Sequence, residues 1–218
     1  MKNKLIIVSI LLIFTAGGAF AQMSVGGGGS FTKTFGGGYE AVIMDLSGGY
    51  EVPLTVGGVF AFLDMKYVEA SVGLFFGKFD WIGNGMLTGQ SLDIKISSFS
   101  LGALGKYPFQ IGRRLKLFPA AGIEFNSAFS VEVNGDSYDN PRDFNHLWVK
   151  FGAGTDILLT QKLYLRGTVL YGIRFATKAE KDIIKYEKEM ANYEGLNLKI
   201  DPVLGHGIQI KAALGYMY

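Results

Sequence analysis

Eight segments of this chain alternate apolar and polar residues with a period of two, and the connections between them are by turns long and short. The segments are Gln22 to Lys33, Thr55 to Phe62, Tyr67 to Phe79, Asp93 to Tyr107, Leu115 to Val131, His146 to Leu159, Lys162 to Ala176 and Gly205 to Tyr218. A period of two belongs to a β-strand, whose successive side chains point to opposite faces. The connections run about 21, 4, 13, 7, 14, 2 and 28 residues. An even number of strands joined in this way makes an up-and-down antiparallel sheet, with the short turns and both termini at one end. Eight strands suffice for such a sheet to close into a barrel.

The position of the charges decides what surrounds the barrel. Glu69, Glu124, Lys150, Asp156, Arg166, Arg174 and Lys211 all lie on strand parities opposite the apolar ones. In the seventh segment, for instance, Leu163, Leu165, Val169, Tyr171 and Ile173 alternate with Tyr164, Arg166, Thr168, Gly172 and Arg174. A soluble eight-stranded carrier of the lipocalin kind keeps its apolar side chains within and its charges without. A barrel in a bilayer does the reverse, because an Arg or Lys turned to lipid at the midplane costs roughly 2–4 kcal/mol. The expected fold class is therefore all-β, an eight-stranded antiparallel up-and-down transmembrane barrel, with these seven residues as a lumen charge network.

The first 21 residues read as a separate unit. Lys2 and Lys4 precede a short apolar run, Leu5 to Phe14, and Ala19-Phe20-Ala21 forms a small-residue cleavage site. That is a secretory signal peptide, which leaves residues 22–218 as the barrel domain. Two of the chain's 21 Lys and Arg lie in that leader, so the remaining bases balance the 19 acids and the formal net charge falls from +2 to zero. Nucleic-acid binding, which needs a cationic excess, loses its support. The chain has no cysteine, so neither a disulfide nor a lipid-bearing cysteine anchors it. No later apolar run approaches the roughly 20 residues of a membrane helix, so any crossing is made by strands.

Several local features modify this outline. The run Gly26-Gly27-Gly28-Gly29 lacks the third glycine and following helix of a dinucleotide loop, and reads as a place of tight curvature or close backbone approach. Residues 34–54 read as a long glycine-rich loop and residues 80–92 as a polar one. In the fourth segment the apolar parity passes from Ile94 and Ile96 to Phe99, Leu101 and Ala103, which suggests a β-bulge at Ser97 and Ser98. Pro119 lacks the N–H that a closed sheet uses, so it belongs at a rim or a bulge. The connection 177–204 is the longest and most charged, with a helical turn or two expected between Ala179 and Glu194.

Two readings of the lumen compete. The seven charges are a selectivity ring if the interior conducts, or a salt-bridged plug if it does not. The interior of eight strands is just wide enough to be filled by side chains, which favours the plug. Catalysis has little support: His146 and His206 lie near strand ends, without the serine arrangement of a lipid-deacylating barrel, and read as rim residues near the headgroups. Asp136, Asp139 and Asp143 lack the spacing of a calcium loop, so no metal and no cofactor is expected. Trp81 and Trp148, near strand ends, suit an interfacial aromatic belt.

The last segment carries a resemblance to a known class. Ile210, Ala212, Leu214, Tyr216 and Tyr218 occupy alternate positions and end the chain on an aromatic residue. The pattern resembles the closing strand of bacterial outer-membrane β-barrels, which usually ends in Phe. With the strand tally, the chain looks like a member of the small eight-stranded class that includes OmpW-like and OmpA-barrel-like proteins. The resemblance implies residence in the outer membrane, contact with membrane lipids, and recognition of those five residues by the barrel assembly machinery. It also implies a structural or surface-interaction role, or passage of small solutes through a narrow lumen. A lipid-modifying enzyme and a secreted lipocalin-like carrier stand as alternatives.

Overall fold

The computed structural model describes residues 23–35, 38–43, 46–51, 53–85, 91–193 and 198–218; the signal segment and its cleavage site lie outside the described residues. Thirteen strands are described: β1 (Ser24–Phe35), β2 (Gly38–Ile43), β3 (Leu46–Glu51), β4 (Leu54–Met65), β5 (Val68–Gly85), β6 (Ser91–Lys106), β7 (Phe109–Ile111), β8 (Leu115–Val133), β9 (Asp136–Ser137), β10 (His146–Leu158), β11 (Leu163–Arg174), β12 (Leu198–Val203) and β13 (Gly205–Met217). Helix α1 (Lys178–Tyr193) lies between β11 and β12.

Eight of the strands form a ring, β1-β4-β5-β6-β8-β10-β11-β13, closed where β13 pairs with β1 from Ser24↔Met217 to Phe35↔His206. Closure leaves the eight-stranded ring without a free edge, and in hydrocarbon each unpaired backbone group would cost several kcal/mol. No described helix is long and apolar enough to cross a membrane. The barrel is thus the eight-stranded antiparallel one expected.

The two faces differ as the charge positions require. Val59, Phe76, Ile123, Val169 and Ile210 stand outside, each more than half exposed, while Ser30, Thr32, Ser100, Thr168 and Gln209 are buried within. A soluble carrier has the opposite arrangement. Lipid is the medium that such an exterior fits.

Beyond the ring the structure departs from the outline. Residues 34–54 are not an irregular loop: β2 and β3 form a hairpin, β12 joins its outer edge, and β3 pairs Gly48–Glu51 with Ile82–Gly85 of β5. The polar stretch after residue 79 continues as strand, with β5 and β6 paired as far as Ile82↔Ser91. Helix α1 has 16 residues rather than a turn or two. It is built from good helix formers, with ion pairs one turn apart at Lys178–Asp182 (3.8 Å) and Lys185–Glu189 (3.7 Å).

The register does break opposite Ser97 and Ser98, but the extra residue is on the partner. Ser97 faces Ser130 and Ser98 faces Ala128, leaving Phe129 of β8 unmatched. Strand β6 keeps one parity throughout, with Ile94, Ile96, Ser98 and Ser100 all buried. Ile94 and Ile96 are therefore apolar residues inside the barrel, not the start of a second face. Pro119 sits where the ladder is interrupted. Its carbonyl accepts from the Tyr107 N–H at 3.2 Å, so its own nitrogen, which has no hydrogen to donate, faces the gap between the end of β6 and the start of β7.

Candidate functional site

The interior is packed in layers, and its charged side chains fall into three groups along the axis. Nearest the short turns is Arg166 on β11. Directly opposite on β10 is Asp156, which takes Nε at 2.6 Å and Nη2 at 2.7 Å. From across the barrel come Asp64 and Glu69, themselves paired on β4 and β5, which accept from Nη2 at 2.6 Å and Nη1 at 2.5 Å. Lys106 completes the group at 2.6 Å from Asp64. Phe62, Phe118 and Tyr164 surround the guanidinium, with ring centroids 4.9 to 5.1 Å from its central carbon. Such a group is stable only because nearly every donor finds an acceptor; a lone buried charge would be far costlier.

Leu104, Phe118, Ala120 and Leu170 form an apolar layer, and on β11 Leu170 lies between Arg166 and Gly172, the partner of Lys150. Glu124 is in the next group, 2.6 Å from Lys150 and 3.6 Å from Lys211, with Lys150 also donating to Gln209 at 3.0 Å. The Arg166 group holds three carboxylates against two cations and the Glu124 group one against two. Each imbalance offsets the other, and the interior is neutral over both.

Arg174 does not join the other six. It forms a two-pronged pair with Glu180 of α1, Nη1 to Oε2 at 2.9 Å and Nη2 to Oε1 at 2.7 Å. Glu180 also accepts from the Thr177 N–H at 2.6 Å, while its own N–H donates to Thr177 Oγ1 at 3.1 Å. This reciprocal exchange is a capping box, which fixes where the helix starts. Burial alone would raise the Glu180 carboxyl, but the Arg174 guanidinium and the Thr177 donors more than offset it and hold the group below its ordinary value. Ala179 and Ile184 of the same helix pack on Leu54, Phe79, Val131, Phe144 and Trp148, closing the long-loop mouth. On the exposed side Lys178 donates to Asp143 at 2.9 Å, which raises the lysine's pKa.

Several sequence expectations are corrected here. Trp148 is not in an outer aromatic belt; it is buried beneath α1, its ring 5.3 Å from the Lys150 ammonium. His146 is not a rim residue either. It is buried beside Phe79 and Trp148, with Nδ1 2.9 Å from the Phe144 carbonyl. His206 lies outside, between the rings of Phe35 and Tyr171. The side chain of Trp81 lies outside the described residues. Asp136 and Asp139 are exposed, apart from the Asp143–Lys178 pair. Of the closing-strand residues, Ile210, Leu214, Tyr216 and Tyr218 face outward with Ala212 between them, and Tyr216 and Tyr218 meet edge to face at 5.6 Å.

Asp64, Lys106 and Glu180 are site residues that sequence reading missed. Asp64 shares the inward parity of Phe60 and Phe62, and Lys106 that of Ser98 and Ser100, so counting on by two would have found both. Thr177-Lys178-Ala179-Glu180 spells the capping box. Two small cavities lie in the lumen among the described residues. One cavity of about 20 Å³ lies beside Glu124, Asn126 and His146, and one of about 40 Å³ beside Asp64, Lys106 and Asp156, each the size of a water or two.

No protein-family model matches the sequence, and no curated protein sequence matches it. Solved structures do match in fold. Neisserial surface protein A superposes with a TM-score of 0.50 at 14% identity, over 90% of this chain and 97% of that one. The N-terminal β-barrel domain of Pseudomonas aeruginosa OprF (TM-score 0.40, 9% identity, 90% and 97% covered) and the Escherichia coli outer-membrane protease OmpT (0.37, 7%, 90% and 96%) align less well. With its closed ring, outward apolar face and match over nearly the full length of the neisserial protein, the chain has the fold of the small eight-stranded outer-membrane β-barrels.

Proposed function

We propose that this is an integral outer-membrane protein whose interior serves as a structural plug and whose working surface is the long-loop end. One observation carries the reading: the Arg166 guanidinium is bound from three strands at once, by Asp64, Glu69 and Asp156, across the full width of the lumen. A conducting path at that level would have to break ion pairs whose partners are all buried. Helix α1, latched by Arg174 and Glu180, covers the other mouth. The surface offered outward is then α1 together with the sheet extension of β2, β3 and β12, which suits a structural or surface-interaction role better than passage of solutes. Export follows from cleavage after Ala21, and insertion from recognition of Ile210, Ala212, Leu214, Tyr216 and Tyr218 by the assembly machinery.

The test is single-channel recording of the purified barrel in planar bilayers. The reading expects no steady conductance from the wild-type protein. Regular ion-selective steps that change on Arg166→Ala would overturn the plug and make the same residues a selectivity ring. Mass spectrometry of cleavage at Ala21 and crosslinking of Tyr216 variants to the assembly machinery check the export route separately.

A further inference from the structure

A groove of about 640 Å³ lies not in the lumen but on the outer wall, within the size range of ligand sites. Its floor is made by small outward residues, Ala61, Ala70 and Ala103, and its walls by Leu63, Leu101 and Phe125. Ala70 pairs with Leu63 only two rungs from the turn that joins β4 to β5, so the groove occupies the half of the wall nearer the short turns. In an outer-membrane barrel that is the inner-leaflet half.

A cationic rim stands above the groove. Lys66 lies in the β4–β5 turn, its ammonium 5.0 Å from the Tyr67 ring centroid. Tyr67 stacks on Tyr107 at 5.9 Å, and Tyr107 meets Phe109 at 5.0 Å, a line of exposed aromatic rings at interfacial height. Arg113 and Arg114 are exposed in the next turn round the rim and Lys162 in the one beyond. Among the described residues, the acids at this end, Asp64, Glu69 and Asp156, are buried with Arg166 and Lys106, and the one negative charge they have in surplus is outnumbered by the four exposed cations of the rim.

An apolar trough leading to a surplus of exposed surface cations complements the shape and charge of a lipid with an anionic head. We infer that the groove seats a glycerophospholipid of the inner leaflet, an acyl chain lying over Ala61, Ala70 and Ala103 and its anionic headgroup held by Lys66 with Arg113 and Arg114. The inference rests on the outer-membrane reading above. Cations near an anionic surface gain from attraction that decays within a Debye length, so the selectivity must depend on salt.

The experiment reconstitutes the full chain in phosphatidylcholine vesicles carrying either spin-labelled phosphatidylglycerol or spin-labelled phosphatidylcholine, and compares the motionally restricted fractions. At low salt the phosphatidylglycerol label is expected to be preferred about threefold or more, and the preference to approach unity in 0.5 M NaCl, in line with surface attraction of a few cations. The triple variant K66Q/R113Q/R114Q, checked for folding by its unboiled gel mobility, should lose the preference in low salt as well. Ala70→Phe, which fills the floor, should reduce the restricted fraction of both labels and leave their ratio unchanged. K178Q/K181Q/K185Q removes three charges at the opposite end and should leave the ratio of the two labels unchanged. Equal restriction of the two labels in the wild type, a salt-independent preference, or a preference that survives in K66Q/R113Q/R114Q would overturn the inference. A chain that fails to enter vesicles at all would instead refute the outer-membrane reading.

Discussion

Arg166 and Asp156 face each other directly across the β10–β11 ladder and make a two-pronged pair, with Nε to Oδ1 at 2.6 Å and Nη2 to Oδ2 at 2.7 Å. One edge of the guanidinium is thereby fixed on its own pair of strands. Two of the remaining three hydrogens point across the barrel to Asp64 and Glu69, strands away in the ring. A single side chain thus ties opposite walls of the cylinder, which backbone ladders alone do not do.

Removing that tie has a calculable cost. Arg166→Met leaves three buried carboxylates with only Lys106, and breaking a buried pair from one side typically costs about 3–5 kcal/mol. The urea midpoint of the vesicle-embedded protein should fall accordingly. Adding Glu69→Gln to Arg166→Met should recover part of the loss, since one uncompensated charge disappears. A wild-type midpoint for Arg166→Met would show that the cluster is not what holds the walls together.

The latch on α1 predicts a pH dependence with a definite sign. The folded Glu180 carboxyl lies below its ordinary value of 4.5, so the unfolded or undocked state binds its proton first. The stabilisation is then fully present above about pH 4.5 and is lost as pH falls through the folded value. Amide protection along α1, corrected for intrinsic exchange, should be flat at neutral pH and decline below about pH 4.5. Glu180→Gln should be less protected throughout and insensitive to that step, which separates it from any effect of nearby His146. Thr177→Ala, which removes one arm of the capping box, should lower helix stability by about 1 kcal/mol.

Much of this architecture was legible in the sequence because a strand's two faces are written in alternate residues. The strand tally, the closing pair of β1 and β13 and the inward charges all follow from that one periodicity. It fails where the lumen itself is apolar. Ile94 and Ile96 are as greasy as Phe99 and Leu101, but they lie beneath α1, and a residue covered by a helix cannot be told from one covered by lipid by its chemistry alone. Trp148 and His146 were misplaced for the same reason, since nothing near them in sequence announces that a helix from residues 178–193 folds over their strand. The bulge shows a different limit: the change of pattern in β6 came from the apolar lumen residues Ile94 and Ile96, while the extra residue at the register break is Phe129 on the partner strand β8.

Sidedness is open to direct measurement. Spin labels at Leu165 and Val169 should be relaxed strongly by oxygen, which concentrates in lipid, and a label at Thr168, buried between them in sequence, should be shielded. Val169→Arg turns a cation to the hydrocarbon and should cost roughly 2–4 kcal/mol if the site lies near the midplane. Shielded labels at Leu165 and Val169 would invert the barrel and restore the soluble-carrier alternative.

The seam between first and last strands depends on how closely two backbones approach, and its glycines allow that to be tested within one tetrad. At Gly28, facing inward, an added methyl would run into the Ala212 carbonyl and the Cα of Ala213. At Gly29, facing outward, the nearest atom to such a methyl is the Gly58 carbonyl at 3.9 Å, an ordinary contact. The two residues are neighbours in sequence and equal in composition, so they differ only in the face they present. Gly28→Ala must push β1 and β13 apart or twist them, an overpacking that costs on the order of 1–3 kcal/mol. Gly29→Ala should stay within about 0.5 kcal/mol of wild type, as substitutions away from close contacts do. Urea unfolding of the two variants in vesicles, with unboiled gel mobility to report closure, reads the difference. Equal stabilities would mean that the glycine run is not there for the close approach of strands, and that the seam closes by some other fit.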